Sequence, residues 1–75
     1  MDYDEMTDHI VDFEVGALYY IAGSLALYLG FQKFPNVRTH IFYVYSKNRN
    51  RRITNSRAIR MDPLITKVET DVTAR

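Results

Sequence analysis

Hydrophobic and polar positions divide this chain of 75 residues into three blocks. The central block, Val15 to Phe31, is seventeen residues without a charge, bracketed by Glu14 on one side and Lys33 on the other. A helix of that length extends about 26 Å, against a hydrocarbon thickness of about 30 Å, and Phe13 with a snorkelling Lys33 covers the difference. Run length alone also permits a buried helix of a soluble bundle. Such a helix needs amphipathic helices around it, however, and the rest of the chain supplies no second long apolar stripe. The pattern therefore predicts a transmembrane helix over residues 13–32, preceded by an acidic segment, 1–12, and followed by a polar tail, 33–75. The expected class is an all-α membrane protein with a single span, a short acidic N-terminal segment and an extended basic C-terminal tail.

All three glycines lie in or beside this block, at Gly16, Gly23 and Gly30. On a helix, a spacing of seven aligns them on one face with a drift of about 20° per step. Ala22, Ala26 and Gly30 add a second row at i, i+4, i+8, the small-residue pattern that lets another transmembrane backbone approach closely. Gly16, Ala22, Gly23, Ala26 and Gly30 are thus the expected helix-packing face. The strongly inserting residues of the run supply only roughly −2 to −4 kcal/mol, so such a span suits a protein-rich environment better than open lipid.

The flanks differ in charge. Residues 1–14 hold six acids and no Lys or Arg, whereas residues 33–60 hold eight basic side chains and no acid, behind a net charge of +1. An acidic N-terminus suits neither a transit peptide nor a secretory signal, and Thr7 or Asp8 could cap a short helix there. Pro35 and Asn36 predict a turn. "THIFYVYSK" has strand propensity, but a lone strand has no partner, which favours an interfacial segment. "KNRNRRITNSRAIR" is strongly basic and suits anionic headgroups, nucleic acid, acidic protein surfaces or a merely solvated face. The remaining segment, from Met61, shows no clear period and is expected to lie extended on something larger.

Little in the chain points to chemistry. There is no Cys, the two His stand apart in sequence, no Ser and His are set near one another, no paired carboxylates fall on a rigid element, and no Gly-rich loop follows a strand. No enzymatic activity, metal or cofactor is expected of this chain alone.

The order of features resembles the MWFE accessory subunit family of mitochondrial NADH:ubiquinone oxidoreductase, respiratory complex I. Phe13-Glu14 stands where that family's opening Met-Trp-Phe-Glu ends. Arg49, Asn50, Arg51, Arg52, Ile53, Thr54 and Asn55 stand against its Arg-Asp-Arg-Arg-Ile-Ser-Gly, preceded by His40, Tyr43 and Tyr45 at nearly the family's spacing. The chain departs from the family in its twelve extra N-terminal residues, in Asp12 at the Trp position and in the short linker containing Pro35. The resemblance implies a non-catalytic accessory subunit of the respiratory electron-transport chain, single-pass in the mitochondrial inner membrane. Its implied partners are core membrane subunits near the quinone site, together with membrane lipids. It implies no nucleic acid and no homo-oligomer, and Arg49, Arg51, Arg52 and Ile53 would dock the tail. Two other classes stay open: a single-span regulator of an ion pump or channel, and a small soluble nucleic-acid-binding peptide in which residues 47–60 contact phosphates.

Overall fold

The dipeptide Ala22-Gly23 splits the uncharged run into two strands. In the computed structural model, which describes residues 9–69, Leu18–Ile21 forms β1 and Ser24–Lys33 forms β2, paired antiparallel with Ile21 opposite Ser24. Ala22 and Gly23 take φ of 49° and 90°, and two positive φ values in a two-residue loop are the type I′ geometry that matches strand twist. The interval of seven then has a hairpin explanation. Gly16 and Gly30 lie equally far from Gly23 in sequence, so the folded-back chain returns both to one end of the sheet. Gly16 occupies the turn before β1 and donates from its amide to the Tyr28 carbonyl at 2.9 Å. Gly30 follows a register shift in β2, where Leu29 is the extra residue of a bulge.

The chain continues through the turn at 34–37 into β3, Arg38–Val44, then through a four-residue loop into β4, Arg49–Thr54. A short helix α1, Asn55–Arg60, a single 3-10 turn at Asp62–Leu64 and β5, Ile65–Lys67, complete it. The five strands form one antiparallel sheet in the order β4-β3-β2-β1-β5. Thr54 caps α1 by accepting from the Arg57 amide at 3.3 Å.

The expected helix over 13–32 is therefore replaced by a turn and a hairpin, and no helix of the described residues is long and apolar enough to cross a membrane. This overturns the all-α, single-span class, and with it the single-pass inner-membrane placement. The physical reason lies in the period. A strand with one wet face alternates apolar and polar residues, but here both faces of β1 and β2 are apolar, so no alternation broke the run. The "THIFYVYSK" segment does have strand partners: β3 pairs with β2 on one side and β4 on the other. Residues 1–8, including Thr7 and Asp8 and most of the acidic segment, lie outside the described residues.

One face of the sheet carries the core. Tyr19, Ile21, Ala26, Tyr28, Phe42, Val44, Ile53 and Ile65 are buried there with Ala58 of α1, and Val11, Phe13, Ala17 and Met61 pack against them. Phe13 is the hub: its ring centroid lies 4.9–5.3 Å from those of Tyr19, Tyr28, His40 and Phe42, mostly edge to face. A buried polar chain runs beneath it. Asn55, wholly buried, accepts from the Val11 amide at 3.0 Å and donates through Nδ2 to the His9 carbonyl at 2.7 Å, which fixes its amide orientation. Its Oδ1 therefore faces His40 Nε2, at 2.9 Å, as an acceptor, so Nε2 carries the hydrogen. Nδ1 then accepts from the Tyr28 hydroxyl at 2.9 Å. Burial, followed by the neighbouring Tyr19 and Asp12, pushes the Tyr28 hydroxyl up to about 12.

Candidate anion-binding site

Alternation along β4 distributes its basic residues. Ile53, Arg51 and Arg49 stand opposite His40, Phe42 and Val44, on the core side of the sheet, while Arg52 and Asn50 stand opposite Ile41 and Tyr43, on the outer side. The core narrows toward the end of the sheet. Ile53 is buried under α1, but Arg51 and Arg49 run out beyond the helix and stay exposed. There they border a cavity of about 420 Å³ lined by Ile21, Ser24, Val44, Lys47, Arg49, Asn50 and Arg51.

The chemistry of this cavity is one-sided. Its floor is apolar, from the buried Ile21 and Val44, and three cations stand at its rim. Ser24 and Asn50 supply polar groups that can donate. Among the described residues no carboxylate lines it. The described acids are Asp12, Glu14, Asp62 and Glu69, and Glu14 is spent at the opposite edge of the sheet, where Lys67 of β5 donates to it at 2.6 Å. That hydrogen bond and the lysine's charge hold the Glu14 carboxyl below its ordinary range, and the same bond with the carboxylate's charge holds the Lys67 ammonium above its own. A second cavity, of about 340 Å³, lies at this paired edge. Among the described residues the sheet is therefore polarised, with exposed cations at the β4 end and a closed ion pair at the β5 end.

The loop joining β3 to β4 is shaped to present Lys47. Asn48 sits at φ of 52°, a left-handed conformation that Asn tolerates, and its side-chain Oδ1 accepts from the Tyr43 hydroxyl. The Lys47 amide donates to the Val44 carbonyl at 3.2 Å, closing the turn. On the outer side, the Arg52 guanidinium lies 4.4 Å from the centroid of Phe34, a cation–π arrangement.

The residues expected to act in docking fall in separate places. Arg49, Arg51 and Arg52 are exposed on β4, two on one face and one on the other, but Ile53 is 1% exposed and belongs to the core. Of the expected helix-packing face, Ala26 is in the core, Ala22 and Gly23 form the hairpin tip, and Gly16 and Gly30 lie at the other end. They share no face, because the strand period separates what the helical period brought together. Ile21, Ser24 and Val44 were not foreseen as site residues. Only the pairing of two hairpins brings them to Arg49 and Arg51, and no local motif encodes it. Among the described residues no cluster of metal-ligating side chains occurs.

Compared with known proteins, the chain matches no family model, no curated protein and no solved structure.

Proposed function

We propose that the domain is a binding module for a nucleic acid strand, held by its phosphates against the β3–β4 hairpin. The observation that carries this is the convergence of Lys47, Arg49 and Arg51 on a cavity with an apolar floor and, among the described residues, no carboxylate in its lining. Arg49 and Arg51, two residues apart on one strand, are spaced about 7 Å along the edge. A line of cations suits a row of phosphates better than one small anion, and the apolar floor offers a place for sugar or base surface. The accessory-subunit reading rested on a membrane helix packed against core subunits, with the tail docking through Arg49, Arg51, Arg52 and Ile53, and the run that was to supply that helix forms β1 and β2.

Fluorescence anisotropy with a labelled single-stranded oligonucleotide, across a salt series, tests the proposal. Three phosphate contacts give a slope of log K against log salt of roughly −2, since each contact on a single strand contributes about −0.7. Replacing Arg49 and Arg51 together by Ala removes two contacts and flattens the slope by about 1.4. Absence of binding at low salt, or binding that the double replacement leaves unchanged, refutes it.

A further inference from the structure

The outer face of the sheet is apolar as well, and no helix or strand of the described residues lies over it. Leu18 and Tyr20 of β1, Leu25 and Leu27 of β2, and Ile41 and Tyr43 of β3 point to that side by their pairing register, with Tyr45 just beyond β3. None of the seven is buried, and Tyr20 and Tyr45 are 44% and 47% exposed. They form continuous cross-strand rows. Tyr20 stands opposite Leu25, whose carbonyl accepts from the Tyr45 amide at 3.2 Å, while Leu18, Leu27 and Tyr43 stand side by side across β1, β2 and β3. The Tyr43 and Tyr45 rings meet edge to face at 5.2 Å. An antiparallel sheet that faces water on one side places polar residues there; this one places leucine and tyrosine there instead. A contiguous patch of this kind marks an interaction surface.

We infer that this face is covered by a second copy of the chain, making a two-layer sandwich with β2 of each copy near the centre. Three observations favour a second copy. First, the rows across β1 to β3 carry no charge, so the face offers a charged ligand nothing to pair with and stacks on itself without repulsion. Second, the one cation named on this side, Arg52, lies on the β4 edge. A two-fold axis parallel to β2 sets that edge over the partner's β5 edge, where the outward residue is the uncharged Thr66, so the arginines of the two copies do not meet. Third, the area suffices. The 21 residues of β1, β2 and β3, at about 3.4 Å rise per residue and about 4.8 Å between strands, offer roughly 340 Å² per copy before side-chain relief, so two copies bury on the order of 700–1,000 Å² with that relief, at the lower end of specific interfaces. Stacked sheets of this type lie about 10 Å apart with strands crossing near 30°. An interface at this small end of the range makes a reversible dimer, expected to form below about 1 mM.

This inference is independent of the phosphate site, which lies at the end of the core side, and its test uses no nucleic acid. Sedimentation velocity of the full chain over a dilution series should show the mass moving from dimer to monomer. In parallel, methyl NMR should show the Leu18, Leu25 and Leu27 resonances shifting with concentration. Tyr20→Lys, at an already half-exposed position, should keep the parent circular dichroism spectrum and weaken association at least about tenfold, as loss of a central aromatic anchor does. Leu27→Lys should act in the same direction. A chain that stays monomeric up to about 1 mM overturns the inference. So does a dimer that survives both replacements, or one in which the three leucine methyls do not respond to dilution.

Discussion

Replacing Asn55 by Ala tests the buried polar chain at its most connected residue. Asn55 is wholly buried, and its side chain serves three groups: His40 Nε2, the Val11 amide and the His9 carbonyl. Ala removes the acceptor of the Nε2 hydrogen at a site without solvent, which costs about 1–3 kcal/mol. The Val11 amide, only partly buried, adds about 1 kcal/mol, and the carbonyl of the exposed His9 turns to water at little cost. The expected loss is about 3 kcal/mol, against about 4–11 kcal/mol for the stability of a chain this size. With a urea dependence of about 1 kcal/mol per molar, the unfolding midpoint falls by roughly 2–3 M. Urea titration followed by circular dichroism measures this, and hydrogen exchange should show the Val11 amide losing protection before the strands do. Thr54→Ala is the control, because its capping bond is exposed and 3.3 Å long, and it should cost no more than about 1 kcal/mol. A midpoint for Asn55→Ala within about 0.5 M of the parent would show that water replaces the network and that the polar chain does not anchor residues 9–13.

Other outcomes follow from the same geometry. Phe13→Ala should cost about 3–5 kcal/mol, because four rings lose their shared neighbour; a loss below about 1 kcal/mol in thermal melts would contradict the hub role. Ala22→Asn should stabilise by about 0.5–1 kcal/mol, since Asn accepts the left-handed first position of the turn better than Ala. Gly23→Leu should destabilise by about 1–2 kcal/mol through its φ of 90° alone, because nothing stands within 4 Å of an added Cβ; calorimetry of both variants decides. Tyr28 keeps its proton in the fold up to about 12, whereas an unfolded chain loses it near 10. The stability it contributes is therefore complete below about pH 10 and is lost as pH rises toward 12, and Tyr28→Phe should flatten that alkaline decline in urea midpoints.

Some of the molecule was legible in its sequence. The basic half of the charge division supplies the β4 edge of the sheet, Pro35-Asn36 lies in a turn as expected, and the strand propensity of Thr39 to Tyr45 lacked only a partner. That partner was hidden inside the uncharged run, where Ala22-Gly23 makes a tight turn with no polar residue to announce it. The expectation of a tail lying extended on something larger is overturned: Asp62–Leu64 is a 3-10 turn and Ile65–Lys67 pairs with β1 of its own chain. The basic motif was legible as chemistry and not as geometry. Whether Arg51 and Arg52 share a face depends on helix or strand, and the strand sends them to opposite sides.

The error in the central block and the inference about the outer face have one physical origin. Seventeen residues without charge mean that this segment has apolar surface to hide in every direction, whatever its backbone does. A bilayer around a helix is one arrangement that hides it. A sheet with a core on one side needs another body on its second side, because packing against Phe13, Val11 and α1 covers only the Tyr19, Ala26 and Tyr28 side of β1 and β2. The sequence pattern thus carried a true statement about solvent exposure and a false one about backbone. The exposed Val15, Tyr20, Leu29 and Phe31 are what remains when the backbone is corrected and the solvent statement is kept. A small domain buries too little of its own surface to leave such a face wet without loss of stability. Covering it with an identical face adds a second buried layer without lengthening the chain, and leaves Arg49 and Arg51 of each copy on the core side, away from the partner.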